Sequence, residues 1–153
     1  MARMLVTSDQ EQLAAALSGD CQPWRAMIIG IDGRDGEGKS HLGRFLAWRL
    51  HMPCLETDTF LQTRTGAYSL RTDDLRRAIR TRLDLERPVI VEGVFLLRTL
   101  QLIGEEVERL VCVKKEPAND TSGFEIELAD YRSTFQSEAR ANYCYSWVDP
   151  DYR

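Results

Sequence analysis

A glycine-rich stretch of eight residues carries the clearest chemistry in this chain of 153 residues. Residues 33–40 read GRDGEGKS, which is the pattern G-x-x-x-x-G-K-[ST]. Glycines allow backbone conformations that turn successive N–H groups toward phosphate oxygens. Lys39 is then placed to reach the β- and γ-phosphates of a nucleotide, and Ser40 presents a hydroxyl to Mg²⁺. The spacing predicts a phosphate-binding loop for a nucleoside triphosphate, with these nucleotide-binding residues: Gly33, Arg34, Asp35, Gly36, Glu37, Gly38, Lys39, Ser40 and His41.

Two acidic residues follow apolar runs that read as buried strands. Asp58 lies in LETDTF, and Glu92 ends the predicted strand that lies in VIVEG. Ligands gather at the carboxyl ends of strands in open parallel sheets, so both side chains are expected near the phosphates. We predict Mg²⁺ ligation by Ser40, Asp58 and Glu92, and catalytic roles for Asp58 and Lys39. Two alternatives stay open: Asp58 as a helix N-cap and Glu92 as a capping or salt-bridged carboxylate.

The elements that must position these residues alternate between strand and helix along the chain. Strands are predicted at 26–31, 54–57, 88–92, 107–113 and 142–148, and helices at 7–19, 39–50, 72–87, 94–103 and 125–139. This order predicts an α/β fold with a five-stranded, mostly parallel sheet and helices on both faces. Because no linker interrupts it, we expect one domain over 1–153, in which an N-terminal helix within 1–22 is appended to a core of 23–153.

The motifs together resemble a known family. The segments IGIDGRDGEGKS, LETDTF and VIVEGVFLL are similar to those of the uridine kinase and pantothenate kinase-like branch of the P-loop small-molecule kinases. The resemblance implies the three-layer P-loop NTPase fold, with ATP and Mg²⁺ as cofactors. It also implies that Asp58 acts on an acceptor hydroxyl and helps to order Mg²⁺, and that Glu92 belongs to the metal and phosphate site. EARANYCYSW resembles the family's segment beside the adenine pocket.

The chain departs from that family on the acceptor side. Family members usually carry an arginine-rich lid helix, whereas the corresponding residues 114–132 contain only Lys114, Lys115 and Arg132 as basic residues. We nevertheless assign Lys114 and Arg132 to charge neutralisation at the γ-phosphate. The polar segment after Asp58 is short, and we expect its Arg64 and Arg71 to suit an anionic acceptor and its Tyr68 to stack on an acceptor ring. A solvated loop is the alternative for this segment.

Composition excludes several classes of partner. The formal net charge is −4 and the pI is about 5.3, so the chain has no general attraction to nucleic acid or to an anionic membrane. Its apolar runs are far shorter than the roughly 20 residues of a membrane span, and the N-terminus lacks the pattern of a secretory signal. Four scattered cysteines without a C-x-x-C pair predict thiols in a reducing cytoplasm. The sequence is compatible with either a monomer or a homodimer.

These observations favour one function over two others. The first is an ATP-dependent kinase that transfers the γ-phosphate to a hydroxyl of a nucleoside-like, vitamin-like or sugar-like molecule. The alternatives are an NTPase or a regulatory ATP-binding module without a small-molecule acceptor. The guanine-reading signature Asn-Lys-x-Asp is absent from the sequence, which counts against a GTPase.

Overall fold

The computed structural model describes residues 4–63, 68–118 and 123–152. Their strands are β1 (Leu5–Thr7), β2 (Ile28–Asp32), β3 (Cys54–Glu56), β4 (Val89–Gly93), β5 (Arg109–Glu116) and β6 (Tyr143–Val148). Their helices are α1 (Gln10–Cys21), α2 (Lys39–Leu50), α3 (Thr72–Leu83), α4 (Leu96–Leu102), α5 (Glu125–Phe135) and α6 (Ser137–Arg140). Two 3₁₀ turns cover Thr57–Phe60 and Pro150–Tyr152.

The six strands form one sheet in the order β1-β6-β5-β2-β4-β3, and each neighbouring pair is parallel. All five residues of β2 and of β4 are buried. Strands buried on both faces need helices on both sides of the sheet. One apolar cluster joins α1 and α2 to the sheet, and another joins α3, α4 and α5 to its opposite face. The predicted α/β class with helices on both faces is therefore confirmed.

The prediction of five strands was wrong, because the N-terminal segment contributes a sixth. Leu5, Val6 and Thr7 pair in parallel with β6 at the edge of the sheet. The predicted helix starting at Thr7 begins instead at Gln10, where the Asp9 side chain accepts from the next turn's N–H groups and acts as N-cap. A three-residue edge strand is too short to show a periodic pattern, which is why the sequence did not reveal it.

Strand register explains how the chemistry-bearing segments meet. Asp32 at the end of β2 lies opposite Gly93 at the end of β4, and Glu92 lies opposite Glu56 at the end of β3. The glycine-rich loop, Glu92 and the 3₁₀ turn that contains Asp58 thus leave the sheet at one edge. Among the described residues, no helix has both the length and the hydropathy that crossing a membrane requires.

Candidate active site

The glycine-rich loop adopts the conformation that its sequence predicts. Gly36 and Gly38 have φ values of +74° and +92°, in the left-handed region that favours glycine. A Cβ at Gly33 would lie 2.8 Å from the carbonyl oxygen of Val113, so this position also tolerates no side chain. Helix α2 begins directly after the loop at Lys39, which aims its N-terminal N–H groups at the loop's interior. The backbone is therefore built as an anion cradle.

Lys39 places a buried cation beside the loop. This lysine is only 7% exposed, and its Nζ donates to the carbonyl oxygen of Arg34 at 2.7 Å. Burial lowers the pKa of Lys39, and nearby carboxylates, Glu92 foremost, oppose that shift. An ammonium group held this way is ready to exchange a backbone carbonyl for phosphate oxygens, which are stronger acceptors.

A cavity of about 440 Å³ joins the loop to both predicted acids. Lys39, Ser40, Asp58 and Glu92 all line it. The Ser40 hydroxyl donates to Oε1 of Glu92 at 2.9 Å. Glu92 is 2% exposed; burial raises its pKa, and the hydrogen bond from Ser40 and the charge of Lys39 oppose the rise. Asp58, in contrast, is exposed on its 3₁₀ turn and faces the same cavity.

The donor set suits a hydrated magnesium ion. No group of three or more His, Cys, Asp and Glu side chains that could hold a metal occurs within the part of the chain that the structure describes. Mg²⁺ keeps several waters and is usually bound through one or two carboxylates plus substrate phosphates, so it needs no closed cage of protein ligands. The Ser40 hydroxyl and the Glu92 and Asp58 carboxylates around one cavity fit that mode of binding.

Comparison with solved structures places this architecture among known folds. A possible uridine kinase from Bacillus stearothermophilus aligns over 89% of this chain and 96% of its own, with a TM-score of 0.63 and 15% identity. The putative fructose transport system kinase from Silicibacter sp. TM1040 aligns over 94% and 100%, with a TM-score of 0.51 and 16% identity. This chain has the fold of the P-loop kinases. That fold agrees with the resemblance stated from the sequence.

Sequence comparison adds a local match. A segment of 39 residues is 54% identical to the shikimate kinases of Vibrio vulnificus strains YJ016 and CMCP6. The segment covers 26% of this chain and 23% of those relatives, so less than a quarter of their length is matched. No family model matches the chain.

Within the P-loop kinase fold, the predicted acceptor-side residues lie in different places. Tyr68 lines the 440 Å³ cavity together with the catalytic candidates. Lys114 and Arg132 line a separate cavity of about 160 Å³, where Lys114 Nζ pairs with Glu138 at 3.1 Å. Arg71 lines a third cavity and donates to the Thr59 carbonyl oxygen at 3.0 Å. Arg64 lies outside the described residues.

The sheet order explains why Lys114 and Arg132 are apart from the γ-phosphate candidates. Strand β5 runs on to Glu116, beyond its predicted end at Val113, and therefore carries Lys114 itself. Since β5 and β4 flank β2 on opposite sides, residues that follow β5 reach the side of the loop away from Glu92. Their assignment to the γ-phosphate remains a prediction that the cavity lining does not support.

Asp32 and Tyr131 form a buried contact that the sequence analysis missed. Asp32 is 2% exposed and accepts from the Gly33 N–H at 2.9 Å and from the Tyr131 hydroxyl at 2.5 Å. The same hydroxyl accepts from the Leu97 N–H at 3.0 Å. Tyr131 therefore ties the start of the phosphate loop to α4. Asp32 is an acid at the end of a buried strand, so the rule that selected Glu92 could also have found Asp32. Nothing in the sequence marks Tyr131 as its partner.

Replacing Tyr131 with Phe should lower the free energy of unfolding by about 1–3 kcal/mol, because the buried Asp32 carboxylate loses one of its hydrogen-bond donors and the buried Leu97 N–H loses its acceptor. Burial already raises the pKa of Asp32, and the Tyr131 hydrogen bond opposes that rise. In the variant this pKa should rise further, because the ionised carboxylate has lost a donor. The loss of unfolding free energy should therefore grow as the pH rises from acidic to neutral values. Urea unfolding at several pH values measures the free energy of unfolding. Tyr145→Phe, on the opposite face of the sheet, is the control; equal losses in both variants would contradict the assignment.

Replacing Gly93 with Ala should destabilise the end of β4. A Cβ there would lie 2.0 Å from the Thr57 hydroxyl oxygen, and Thr57 is fully buried. To remove this clash, the turn that carries Asp58 must move, which should lower the free energy of unfolding by about 1–3 kcal/mol. Thermal unfolding measures the effect. Gly19→Ala is the control, because its Cβ meets nothing within 4 Å in helix α1; a Gly93→Ala protein as stable as that control would refute the packing argument.

Proposed function

We propose that this protein is a magnesium-dependent kinase that transfers the γ-phosphoryl group of ATP to a hydroxyl of a small molecule. The observation that carries the proposal is the single cavity on which Lys39, Ser40, Asp58 and Glu92 converge beside the glycine-rich loop. A phosphate cradle alone would bind a nucleotide. The exposed carboxylate of Asp58, which lines the same cavity, supplies a group that can take up the proton of an acceptor hydroxyl.

In this mechanism the loop N–H groups and the start of α2 hold the triphosphate. Lys39 offsets negative charge that spreads over the transferred phosphoryl group. Asp58 orients the acceptor hydroxyl in line with the γ-phosphorus and takes up its proton. The hydrogen bond between Ser40 and Glu92 fixes the orientation of both side chains, which would hold the metal together with Asp58. Bound Mg²⁺ would neutralise phosphate charge and hold the donor's phosphates in position.

The most direct test measures ADP formation with ATP, Mg²⁺ and a panel of acceptors. The panel begins with uridine, fructose and shikimate, since these compounds appear in the names of similar proteins. We expect ADP formation that depends on one acceptor and on Mg²⁺, with ATP preferred over GTP. ADP formation that no acceptor accelerates would indicate an NTPase. ATP binding without any turnover would indicate a nucleotide-binding module.

The thiols fit the cytoplasmic location that we also propose for this kinase. Cys21, Cys54, Cys112 and Cys144 are all free. Burial raises the pKa of Cys54 and of Cys112 to about 12 each. Such thiols carry little thiolate at neutral pH and act as packing residues rather than as nucleophiles or disulfide partners.

A further inference from the structure

Trp147 connects the last strand of the sheet to the glycine-rich loop. It lies near the end of β6, and its indole Nε1–H donates to the carbonyl oxygen of Glu37 at 2.9 Å. A Cβ at Gly38, the next residue of the loop, would lie only 3.2 Å from a carbon of the same ring. The indole therefore packs against the loop and also holds one of its carbonyl groups.

The hydrogen bond from Trp147 fixes how one peptide group of the loop is turned. The peptide bond between Glu37 and Gly38 is trans and planar, so its C=O and N–H groups point in opposite directions. Because the carbonyl oxygen is held by β6, the Gly38 N–H points away from β6. The sheet order is β6-β5-β2-β4, so the direction away from β6 leads toward β4, which carries Glu92.

The Gly38 N–H is a donor that a phosphate oxygen can use. Gly38 and Glu92 both line the cavity of about 440 Å³, so we expect the N–H to point toward this cavity. In the part of the chain that the structure describes, this N–H has no hydrogen-bond acceptor. Backbone N–H groups turned toward one concave site form the kind of nest that binds anions.

The side chain of Glu37 is held on the same side of the loop as its carbonyl group. Glu37 is 3% exposed, and its Oε2 accepts from the main-chain N–H of Lys115 in β5 at 3.4 Å. Its Oε1 lies 3.9 Å from Nε of Arg34, earlier in the loop. Two adjacent strands, β5 and β6, thus hold one loop residue from the side of β2 that faces away from β4. Such contacts restrict the freedom that the loop glycines allow, and a loop ordered in advance binds its ligand at a lower entropic cost.

We propose that Trp147 is a positioning residue for the phosphate-binding loop: its indole N–H turns the Glu37–Gly38 peptide so that the Gly38 N–H faces the phosphates of a bound nucleotide. This inference rests on the proposed function only in requiring that the loop binds a triphosphate. Trp147 acts through the loop backbone and does not touch the reacting atoms. Without its donor, the peptide next to Gly38 is free to rotate, because glycine opposes such rotation least.

Inorganic tripolyphosphate, which has no base or sugar, tests this role by calorimetry in the presence of Mg²⁺. Trp147→Phe keeps an aromatic ring but removes the donor, so the affinity for tripolyphosphate should fall about five- to tenfold, as expected for one lost hydrogen bond. Trp147→His loses ring area but keeps an N–H at the same position of its five-membered ring. At about pH 8, where the imidazole is neutral, Trp147→His should bind more tightly than Trp147→Phe. Packing alone predicts the reverse order.

Tyr143→Phe is the matched control for these variants. Tyr143 lies at the other end of β6, and its hydroxyl donates to Asp20 of α1. This variant also loses one hydrogen bond of the strand, so its Tm should fall, but its affinity for tripolyphosphate should equal that of the wild type. Lys115→Met should bind like the wild type as well, because the main-chain N–H and the Trp147 donor both remain. Wild-type affinity in Trp147→Phe, or a Trp147→His protein that binds no better than Trp147→Phe, overturns the proposal.

Hydrogen exchange of the indole N–H groups tests the same contact in the unaltered chain. The Trp147 indole N–H should exchange at least about tenfold more slowly than that of Trp48, which is 71% exposed. NMR spectra measure both rates, and equal rates contradict the proposal. Binding of ADP tests a further alternative. If Trp147→Phe weakens binding of ADP but not of tripolyphosphate, Trp147 contacts the nucleoside and the positioning role is wrong.

These outcomes are separable from a failure of the kinase function itself. If no acceptor is ever phosphorylated but Trp147→Phe loses affinity for tripolyphosphate, the kinase proposal fails and the positioning role stands. If an acceptor is phosphorylated and Trp147→Phe binds tripolyphosphate like the wild type, the kinase proposal stands and the positioning role fails. A wild-type protein that binds no tripolyphosphate has no anion cradle for Trp147 to position, which also overturns the inference.

Discussion

Lys39→Met should remove most phosphoryl transfer and most nucleotide binding. The substitution keeps the apolar stem of the side chain but deletes the ammonium group, whose Nζ donates to the Arg34 carbonyl oxygen of the loop at 2.7 Å. We expect kcat/KM to fall by at least about 10²-fold, which corresponds to about 2.7 kcal/mol of transition-state stabilisation. In the wild type, ATP at about 100 times its Kd should raise Tm by about 5–10 °C. The variant should lose this rise.

Lys115→Met is the matched control for that experiment. The Lys115 ammonium pairs with Asp149 at 3.1 Å and lies over the Trp147 ring, so its loss should not change transfer. A thermal scan without nucleotide checks that both variants are folded. If Lys39→Met still shows the wild-type rise of Tm with ATP, the loop does not bind phosphate in the way proposed here.

Asp58→Asn should abolish transfer while nucleotide binding survives. The amide is nearly the same size as the carboxylate and can still accept a hydrogen bond, but it cannot take up the acceptor's proton. General-base catalysis contributes about 10²–10⁴-fold, and we expect kcat to fall by that amount. Because Asp58 is exposed and lies on the 3₁₀ turn rather than on the glycine-rich loop, the Kd for ATP should stay close to the wild-type value. Single-turnover kinetics and calorimetry measure the two quantities separately.

Asp73→Asn provides the control for the same chemical change. Asp73 is exposed on α3 and lines the cavity that contains Arg71, away from the phosphate loop. Its variant should turn over like the wild type. Wild-type turnover in Asp58→Asn would remove Asp58 from catalysis, and a large loss of ATP affinity would instead assign it mainly to binding of the metal–nucleotide complex.

Local patterns predicted the elements around the glycine-rich loop. The helix after the loop was expected at 39–50, and α2 spans Lys39–Leu50. The acids were expected at strand ends, and Asp58 and Glu92 both line the cavity with Lys39. Each of these predictions rests on a short-range rule: glycine spacing, helix initiation, or an acid that closely follows a buried strand.

The acceptor side could not be predicted in the same way. Lys114, Arg132 and Arg71 were chosen for their charge and their nearness in sequence to expected features, yet they line other cavities. The packing of Phe95 against Tyr68 and Phe124, for example, depends on where three separate segments meet.

By itself, the sequence determined that this chain carries a phosphate loop on a strand–loop–helix unit, with two acids at the ends of neighbouring strands. Those features follow from the chemistry of contiguous residues. Only the tertiary structure decided that Asp32 joins Tyr131 beneath the loop, that β1 adds a sixth strand, and that Lys114 lies away from Glu92. Sheet order and helix packing set these relations, because they bring together residues as distant in sequence as Asp32 and Tyr131, and no local pattern encodes such a pairing.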